Sequence, residues 1–161
     1  MATGWVAVAC HKSPPRPKVD PPEHRFVIEG AKIERLEAHR PTYEVRARRM
    51  VMSQDSTRVH ATDVTIHTRA ASGAPVTVSA PHGAGDRTSE TAKLWGGVQV
   101  NSQGVTLNTA TAEIDWKGQR VVASSTVTAR GANFDARARR GVYRIDQDKV
   151  KLDGPVSAEV R

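Results

Sequence analysis

The sequence predicts an all-β protein, and three observations support that prediction. Apolar and polar residues alternate at a period of two, as in residues 74–80, where Val76 and Val78 share one face of a strand. Glycine, asparagine and aspartate cluster between the alternating stretches, as turns require. Aromatic residues make up only 4% of the chain, so small aliphatic side chains must fill a thin, pleated interior.

The strands and turns can be placed in order along the chain. Half-buried strands are expected within residues 74–80, 96–100 and 104–109, and turns at 101–104, 116–119, 130–133 and 146–149. Residues 31–40 have a partly helical spacing, but their charges fit a strand as well. At 161 residues the chain is long enough for one domain with a core and short for two.

We place the β-domain at residues 26–161, and two further segments precede it. Residues 1–10 form a short apolar run ending in Val8, Ala9 and Cys10, which resembles the lipobox of bacterial lipoproteins, where the thiol is acylated. Residues 11–25 hold five of the nine prolines and are typical of a semi-rigid tether. The alternative is a frayed terminus with a free thiol and a disordered tail. Because Cys10 is the single cysteine, an internal disulfide is excluded.

A repeat of 29 residues runs through the predicted strands. It relates Val98, Val127 and Val156; Ala80, Thr109 and Ala138; Leu94, Ala123 and Leu152; Gly96, Ser125 and Gly154; Gly83, Ala112 and Gly141; and Gly85, Ile114 and Tyr143. An earlier, less regular copy is indicated by the similarity of residues 45–52 to residues 136–143. Repeats of this length predict stacked units, here a pair of strands each, that bury their apolar faces against one another.

The repeat also carries a motif that resembles a known family. The patterns are L-x-T-x-x-A-x-I-D, then V-x-S-x-x-V, with L-x-G-x-V on either side. They are formed by Leu107, Thr109, Ala112, Ile114, Asp115, Val122, Ser124 and Val127, and by the segments that start at Leu94 and Leu152. Over residues 26–161 the chain resembles the OstA-like family of lipopolysaccharide transport, and within it the LptC group. The resemblance implies an elongated, twisted antiparallel β-jellyroll whose open-sided groove carries lipopolysaccharide acyl chains across the periplasm.

The same resemblance implies an anchor and partners. LptC proteins usually have an N-terminal membrane-spanning helix, whose place a lipidated Cys10 would take at the inner membrane. The N-terminal edge, with Val27 and Ile28, would meet the inner-membrane transporter, and the C-terminal edge would accept an LptA-like bridge protein. The C-terminal edge residues are Val156, Ser157, Ala158 and Val160. A soluble LptA-like bridge subunit remains the alternative within the family.

A groove for acyl chains needs a continuous apolar wall, which alternating strands with small side chains supply. The candidate wall consists of Val76, Val78, Leu94, Val98, Val100, Leu107, Ile114, Phe134, Tyr143 and Leu152. Each buried methylene is worth about 0.8 kcal/mol, whereas an exposed ion pair contributes about 0–1 kcal/mol, so apolar contact would hold the lipid. Each of these residues also fits a simple core role.

Charge narrows the possible partners. A net charge of +7 and a pI near 10.1 indicate an anionic partner such as nucleic acid, a phospholipid surface or a phosphorylated glycolipid. Two arginine clusters, at 46–49 and 137–140, would contact lipid phosphates or form a solvated outer face, and the outer face is favoured. A basic nucleic-acid-binding protein and a structural β-stack are the alternatives, and the scarcity of aromatics counts against nucleic acid.

The sequence shows no pattern typical of an enzyme. It contains no recognisable carboxylate pair, catalytic triad or cluster with metal-ligand spacing, and the six histidines are scattered. Asp86 and Asp115 recur at one repeat position, but the third copy has Arg144 there, which favours a turn or sheet-face role. We therefore expect a carrier without cofactor or metal.

Overall fold

The structure, a computed structural model, describes residues 25–37 and 40–160, which form twelve β-strands. These are β1 (Arg25–Glu37), β2 (Arg40–Ser53), β3 (Arg58–Arg69), β4 (Pro75–Asp86), β5 (Thr91–Ser102), β6 (Val105–Asp115), β7 (Arg120–Ala123), β8 (Val127–Arg130), β9 (Phe134–Ala138), β10 (Arg140–Arg144), β11 (Lys149–Asp153) and β12 (Ser157–Val160). The all-β prediction is confirmed, and of the ambiguous residues 31–40, those from Ala31 to Glu37 continue strand β1 and Arg40 begins β2. The predicted anchor with Cys10 and nearly all of the predicted tether lie outside the described residues.

All paired strands are antiparallel, and consecutive strands are neighbours from β1 to β6. Strand β6 then has two partners on one side, because residues 113–115 pair with β7 and residues 106–109 pair with β8. The sheet continues from β7 through β10 to β11, and from β8 through β9 to β12. Antiparallel pairing throughout confirms this part of the predicted fold.

The pairing is interrupted along one line, which we call the crease. It crosses β1 to β6 and separates β7 from β8, β9 from β10 and β11 from β12. It passes through Gly30, Arg48, Asp63, Pro81, Gly96 and Gly97, Ala110, residues 124–126, Arg139 and residues 154–156. Gly96 and Gly97 have φ of 90° and 103°, a region that side chains strongly disfavour, and Pro81 on the facing strand has no amide hydrogen to donate. These residues make the interruption a property of the local sequence.

The crease explains the 29-residue repeat. Gly96, Ser125 and Gly154, one of the predicted repeat triplets, all lie on it, and so do Arg48 and Arg139 of the irregular copy. One repeat of 29 residues therefore passes the crease twice. The crease divides the strands into a first half-sheet, which holds residues 58–62, 82–86, 91–95 and 111–115, and a second, which holds residues 64–69, 75–80, 98–102 and 105–109.

The two half-sheets pack face to face. One buried cluster contains residues of both: Ile66, Val78, Val98 and Val100 from the second, with Leu94, Ile114, Val121 and Tyr143 from the first. A separate, smaller cluster lies at the N-terminal end and consists of Ala31, Ala47, Met50 and Val59. The core is thin and aliphatic, as the composition predicts.

The predicted turns are confirmed, and aspartates stabilise two of the turns in the first half-sheet. Asp86 Oδ1 accepts hydrogen bonds from the amides of Thr88 (2.8 Å) and Ser89 (3.1 Å), and Asp115 Oδ1 accepts one from the amide of Gly118 (2.8 Å). These backbone donors lower the pKa of both carboxyl groups. The structure therefore shows the turn role that the sequence predicts for Asp86 and Asp115.

Candidate functional site

A large apolar cavity lies between the half-sheets at the N-terminal end, within strands β1 to β5 and the turn after β6. Its volume is about 700 Å³. The apolar lining comes from Ile28, Ala31, Ile33, Leu36, Tyr43, Val45, Met50, Met52, Val59, Ala61, Val64, Ile66, Ala92, Leu94 and Trp116. Ile28, Ile33 and Leu36 of β1 line the cavity and are also 40%, 39% and 60% exposed, so the cavity opens to solvent along β1.

Small side chains create this space. The inner face of the first half-sheet carries Gly83 and Gly85 on β4 and Ala61 and Ala92 on the strands beside it. Opposite them, Val64 and Ile66 of the second half-sheet form the other wall. The walls therefore remain apart although both faces are apolar.

The rim of the cavity is charged but nearly balanced. Lys32 Nζ lies 2.6 Å from a carboxylate oxygen of Glu34 and 3.2 Å from one of Glu44, and Arg35 lies 3.1 Å from Glu90. Hydrogen bonds to Glu34 and Glu44 raise the pKa of Lys32, and Arg46 with Lys32 lowers the pKa of Glu44. Both groups remain charged at neutral pH, and Lys32 and Arg35 each have an anionic partner.

The outer ends of the half-sheets meet along a line that we call the lateral seam. At the N-terminal end it is bridged by the Arg35–Glu90 ion pair and by the stacked rings of Tyr43 and Trp116, whose centroids lie 4.1 Å apart at 15°. These contacts span the side of the cavity, and the open-sided groove that the family resemblance implies stays a prediction. The bridges join the outer ends of β1 and β2 to the turns after β4 and β6.

A polar network bridges the seam at the other end. The Tyr143 hydroxyl donates to Asp148 Oδ1 at 2.7 Å and lies 3.0 Å from Ser102 Oγ, which donates to the same oxygen at 3.1 Å. Ser72 Oγ donates to Asp148 Oδ2 at 3.3 Å, and Gln103 Nε2 also donates to that oxygen. Burial, opposed in part by the Ser102 contact and reinforced by the nearby Asp148 carboxylate, raises the pKa of Tyr143 to about 12.

Beyond the large cavity the interior is filled. The space between Val121, Val127 and Tyr143 amounts to only about 20 Å³, and a further space of about 150 Å³ lies beside Asp148 and Val150. Side chains of the two half-sheets interdigitate here. The apolar interior is therefore continuous along the molecule but wide only at its N-terminal end.

The ten predicted wall residues lie mostly in this filled part. Val76, Val78, Leu94, Val98, Val100, Leu107, Ile114 and Tyr143 are buried, and Phe134 and Leu152 are half-buried against the same cluster. Of the ten, Leu94 alone lines the large cavity. Their role in lipid contact stays a prediction. Sequence reasoning missed most of the cavity lining, although the small residues Gly83, Gly85 and Ala92 were a readable signal.

Both arginine clusters lie on the exposed surface. Arg48 lies 2.7 Å from Asp63 and Arg49 lies 3.6 Å from Glu29, and Arg46 is paired with Glu44. Arg137, Arg139 and Arg140 of the second cluster are exposed as well. This placement agrees with the solvated outer face that the sequence favours.

The predicted partner edges lie at the two ends of the sheet. Val27 and Ile28 belong to β1, which pairs only with β2, and their side chains are 51% and 40% exposed. Ser157, Ala158 and Val160 belong to β12, which pairs only with β9, and Val156 precedes it. Each strand thus has one side without a neighbouring strand among the described residues. Partner binding there stays a prediction.

Neither a metal site nor a membrane-spanning helix is found among the described residues. No group of three or more histidine, cysteine, aspartate or glutamate side chains is placed to hold a metal ion. Within the same residues, no helix has the length and apolar character needed to cross a membrane.

Comparison with known proteins identifies the family. The model of a family described as "Lipopolysaccharide-assembly, LptC-related" matches residues 2–160. A similar solved structure is LptH of Pseudomonas aeruginosa, described as the LptA-homologous periplasmic component of the lipopolysaccharide transport device. It is 11% identical, the match covers 86% of this chain and 96% of that one, and the TM-score is 0.33. No curated protein matches this chain.

The assignment depends on the family model, because a structural likeness at this TM-score adds no support of its own. The match covers nearly the whole chain, including all of β1 to β12, and the resemblance read from the sequence motifs is confirmed. The chain belongs to the LptC-related family of lipopolysaccharide-assembly proteins, which are periplasmic components of lipopolysaccharide transport.

Proposed function

We propose that this chain binds the acyl chains of lipopolysaccharide in the large N-terminal cavity and passes them from the inner-membrane transporter to the periplasmic bridge. The observation that carries the proposal is the apolar cavity of about 700 Å³ that opens along β1. Burial of a methylene is worth about 0.8 kcal/mol, so ten methylenes would contribute about 8 kcal/mol before the costs of binding. The balanced rim charges contribute little to affinity by comparison.

The filled interior continues the same route. Acyl chains that enter at β1 first contact Leu94, the predicted wall residue that borders the cavity. The other nine predicted wall residues line the interior beyond it, and they contact lipid as the chains advance towards β12. Transfer to a bridge protein then requires the half-sheets to separate in the C-terminal part, where Tyr143 and Asp148 hold them together.

Photo-crosslinking in cells tests the binding site. A photoreactive residue at Val59 or Leu94, on the inner face, should form adducts with lipopolysaccharide, whereas one at His60 or Lys93, on the outer face, should not. Crosslinks at Val78 or Val98, absent at Thr77 and Gln99, would show that chains advance into the filled interior. Equal labelling of inner and outer faces would overturn the groove.

The proposed anchor is the acylated thiol of Cys10, followed by the proline-rich tether. Mass spectrometry of the native protein should find Cys10 as the lipid-modified first residue of the mature chain. Cys10→Ala should then release the folded domain from the membrane fraction. An unmodified Cys10 in the native protein would contradict this anchor.

The proposed docking edges are β1 for the transporter and β12 for an LptA-like bridge protein. An edge strand exposes unpaired amide and carbonyl groups that another sheet can extend. Truncation after Gly154, or proline at Ser157 or Ala158, should abolish capture of the bridge protein and leave transporter association intact. Full capture by the truncated protein would place the docking edge elsewhere.

A further inference from the structure

One row of inner-face residues crosses the first half-sheet from strand to strand. Direct pairing places Val59 opposite Gly85, Gly85 opposite Ala92, Ala92 opposite Ile114, and Ile114 opposite Val121. The row continues from Val121 to Tyr143 and from Tyr143 to Val150. It therefore passes through the wall of the large cavity and on into the filled interior.

The 29-residue repeat places three different residues at one position of this row. They are Gly85, Ile114 and Tyr143 in successive copies. Ile114 is 0% exposed and Tyr143 is 3% exposed, and both fill the space between the half-sheets. Gly85 offers no side chain, and the cavity lies above it. The interior is wide where this repeat position is glycine and filled where it is isoleucine or tyrosine.

The backbone does not require glycine at this position. Gly85 is not among the residues with positive φ, and a Cβ added to it would have Thr91 O, at 3.9 Å, as its nearest neighbour, which is an ordinary contact. Gly83 differs, because a Cβ there would lie 3.0 Å from Leu94 Cδ2 and 3.2 Å from Val64 Cγ2. Packing explains Gly83, but it leaves the missing side chain of Gly85 unexplained.

We infer that Gly85 is a specificity-determining residue whose missing side chain sets how much of a lipid acyl chain the cavity accepts. This inference deepens the proposed function and rests on it. A β-branched residue favours a strand more than glycine does, and filling a cavity adds apolar contact. A larger residue at position 85 should therefore stabilise the fold while it excludes lipid.

The size of the effect follows from the volume removed. An isoleucine at position 85 that displaces about two methylenes of the lipid from the wall would weaken binding about tenfold. Alanine should weaken binding less than valine, and valine less than isoleucine. Stability should change in the opposite direction, which separates this role from a purely structural one.

The test uses the full chain with Gly85→Ala, Gly85→Val and Gly85→Ile. Lys93→Ile is the matched control, because it adds the same side chain to the exposed outer face of the next strand. Binding of cis-parinaric acid is followed by fluorescence, with purified lipopolysaccharide as competitor, and folding by thermal unfolding. We expect graded loss of affinity with equal or higher unfolding temperature in the Gly85 series, and wild-type affinity in the control.

The possible results separate a failure of the role of Gly85 from a failure of the proposed lipid-binding function. Wild-type protein that binds neither lipid would overturn the proposed function and this inference together. Wild-type binding with equal affinity in folded Gly85→Val or Gly85→Ile would overturn the role of Gly85 alone. If the isoleucine variant fails to fold, the affinities of the alanine and valine variants decide whether the side chain at position 85 limits lipid binding.

Discussion

The N-terminal and C-terminal parts of the molecule share one antiparallel sheet and one crease but differ in their interior. Between β1 and β5 the half-sheets enclose about 700 Å³, whereas around Val121 and Tyr143 they enclose about 20 Å³. The crease runs through both parts: the long strands β1 to β6 cross it, and the shorter strands β7 to β12 end at it. The two parts differ in the volume of the side chains on the inner face. The same repeat can therefore enclose a cavity or form a packed core.

The seam contacts differ between the two parts as well. At the N-terminal end an exposed ion pair and one aromatic stack span the cavity. At the C-terminal end the buried Tyr143 and the half-buried Asp148 hold the turns together through several hydrogen bonds. Since an exposed ion pair contributes less than several partly buried hydrogen bonds to one carboxylate, we expect the N-terminal seam to be the weaker one.

The largest expected effect comes from removing the same side chain in each part. Ile114→Ala should lower the free energy of unfolding by about 2–5 kcal/mol, because it leaves a hole in a packed interior. Ile33→Ala, at the cavity wall, should cost less than about 1.5 kcal/mol, because Ile33 is already 39% exposed. Urea unfolding of both variants measures the difference. Equal losses would mean that the N-terminal part is as tightly packed as the other.

A smaller effect is expected at the C-terminal seam. Tyr143→Phe keeps the ring but removes the hydroxyl that donates to Asp148, so it should lower the free energy of unfolding by about 1.5–3 kcal/mol. Amide hydrogen exchange near Gln103 and Ile145 should accelerate in this variant. Unchanged exchange there would show that the network does not hold the seam.

The same tyrosine predicts a response to alkaline pH. Its pKa is about 12 in the folded protein against an ordinary value of 10.0, so the folded state holds this proton more tightly than the unfolded one. Its stabilising contribution is complete below pH 10 and is lost as the pH rises from 10 towards 12. Unfolding curves across this range should show a loss of stability that Tyr143→Phe lacks. A parallel loss in the variant would assign the effect to other groups.

The smallest effect is expected at the N-terminal seam. Glu90→Gln removes the charge that faces Arg35 but keeps a side chain of the same shape, and exposed ion pairs contribute about 0–1 kcal/mol. Stability should therefore change little, while lipid entry becomes faster if the seam opens sideways. Stopped-flow binding of a fluorescent fatty acid compares the rates. A loss above about 2 kcal/mol would contradict the weak seam.

Much of the fold could be predicted because its signals are local. Alternation around Val76 and Val78 places strands, and the turn residues at 101–104 and 146–149 place their ends. The spacing of Gly96, Ser125 and Gly154 marks positions on the crease, but the crease could not be predicted from it. A repeat shows that positions are equivalent, and it does not show that the sheet bends there. The edges at β1 and β12 followed from chain order.

The cavity could not be placed from the sequence. Inner-face residues were recognised as apolar, but period-two alternation does not say where facing walls touch and where they stay apart. That outcome depends on volumes summed across both half-sheets, such as Gly85 and Ala92 against Ile66. The bridge between Tyr43 and Trp116 depends on the twist over several strands, which no local pattern contains.

Acyl chains are expected to occupy the N-terminal cavity before any other part of the interior. A fatty acid with a nitroxide label on its chain, added to the isotope-labelled full-length protein, tests it through paramagnetic broadening of backbone amide signals. If the cavity is the binding site, the amide signals of Val59, Gly85 and Ala92 should broaden at the lowest ligand concentrations, before those of Val121 and Val142. Broadening that begins at Val121 and Val142, or that is equal at all five, would contradict it.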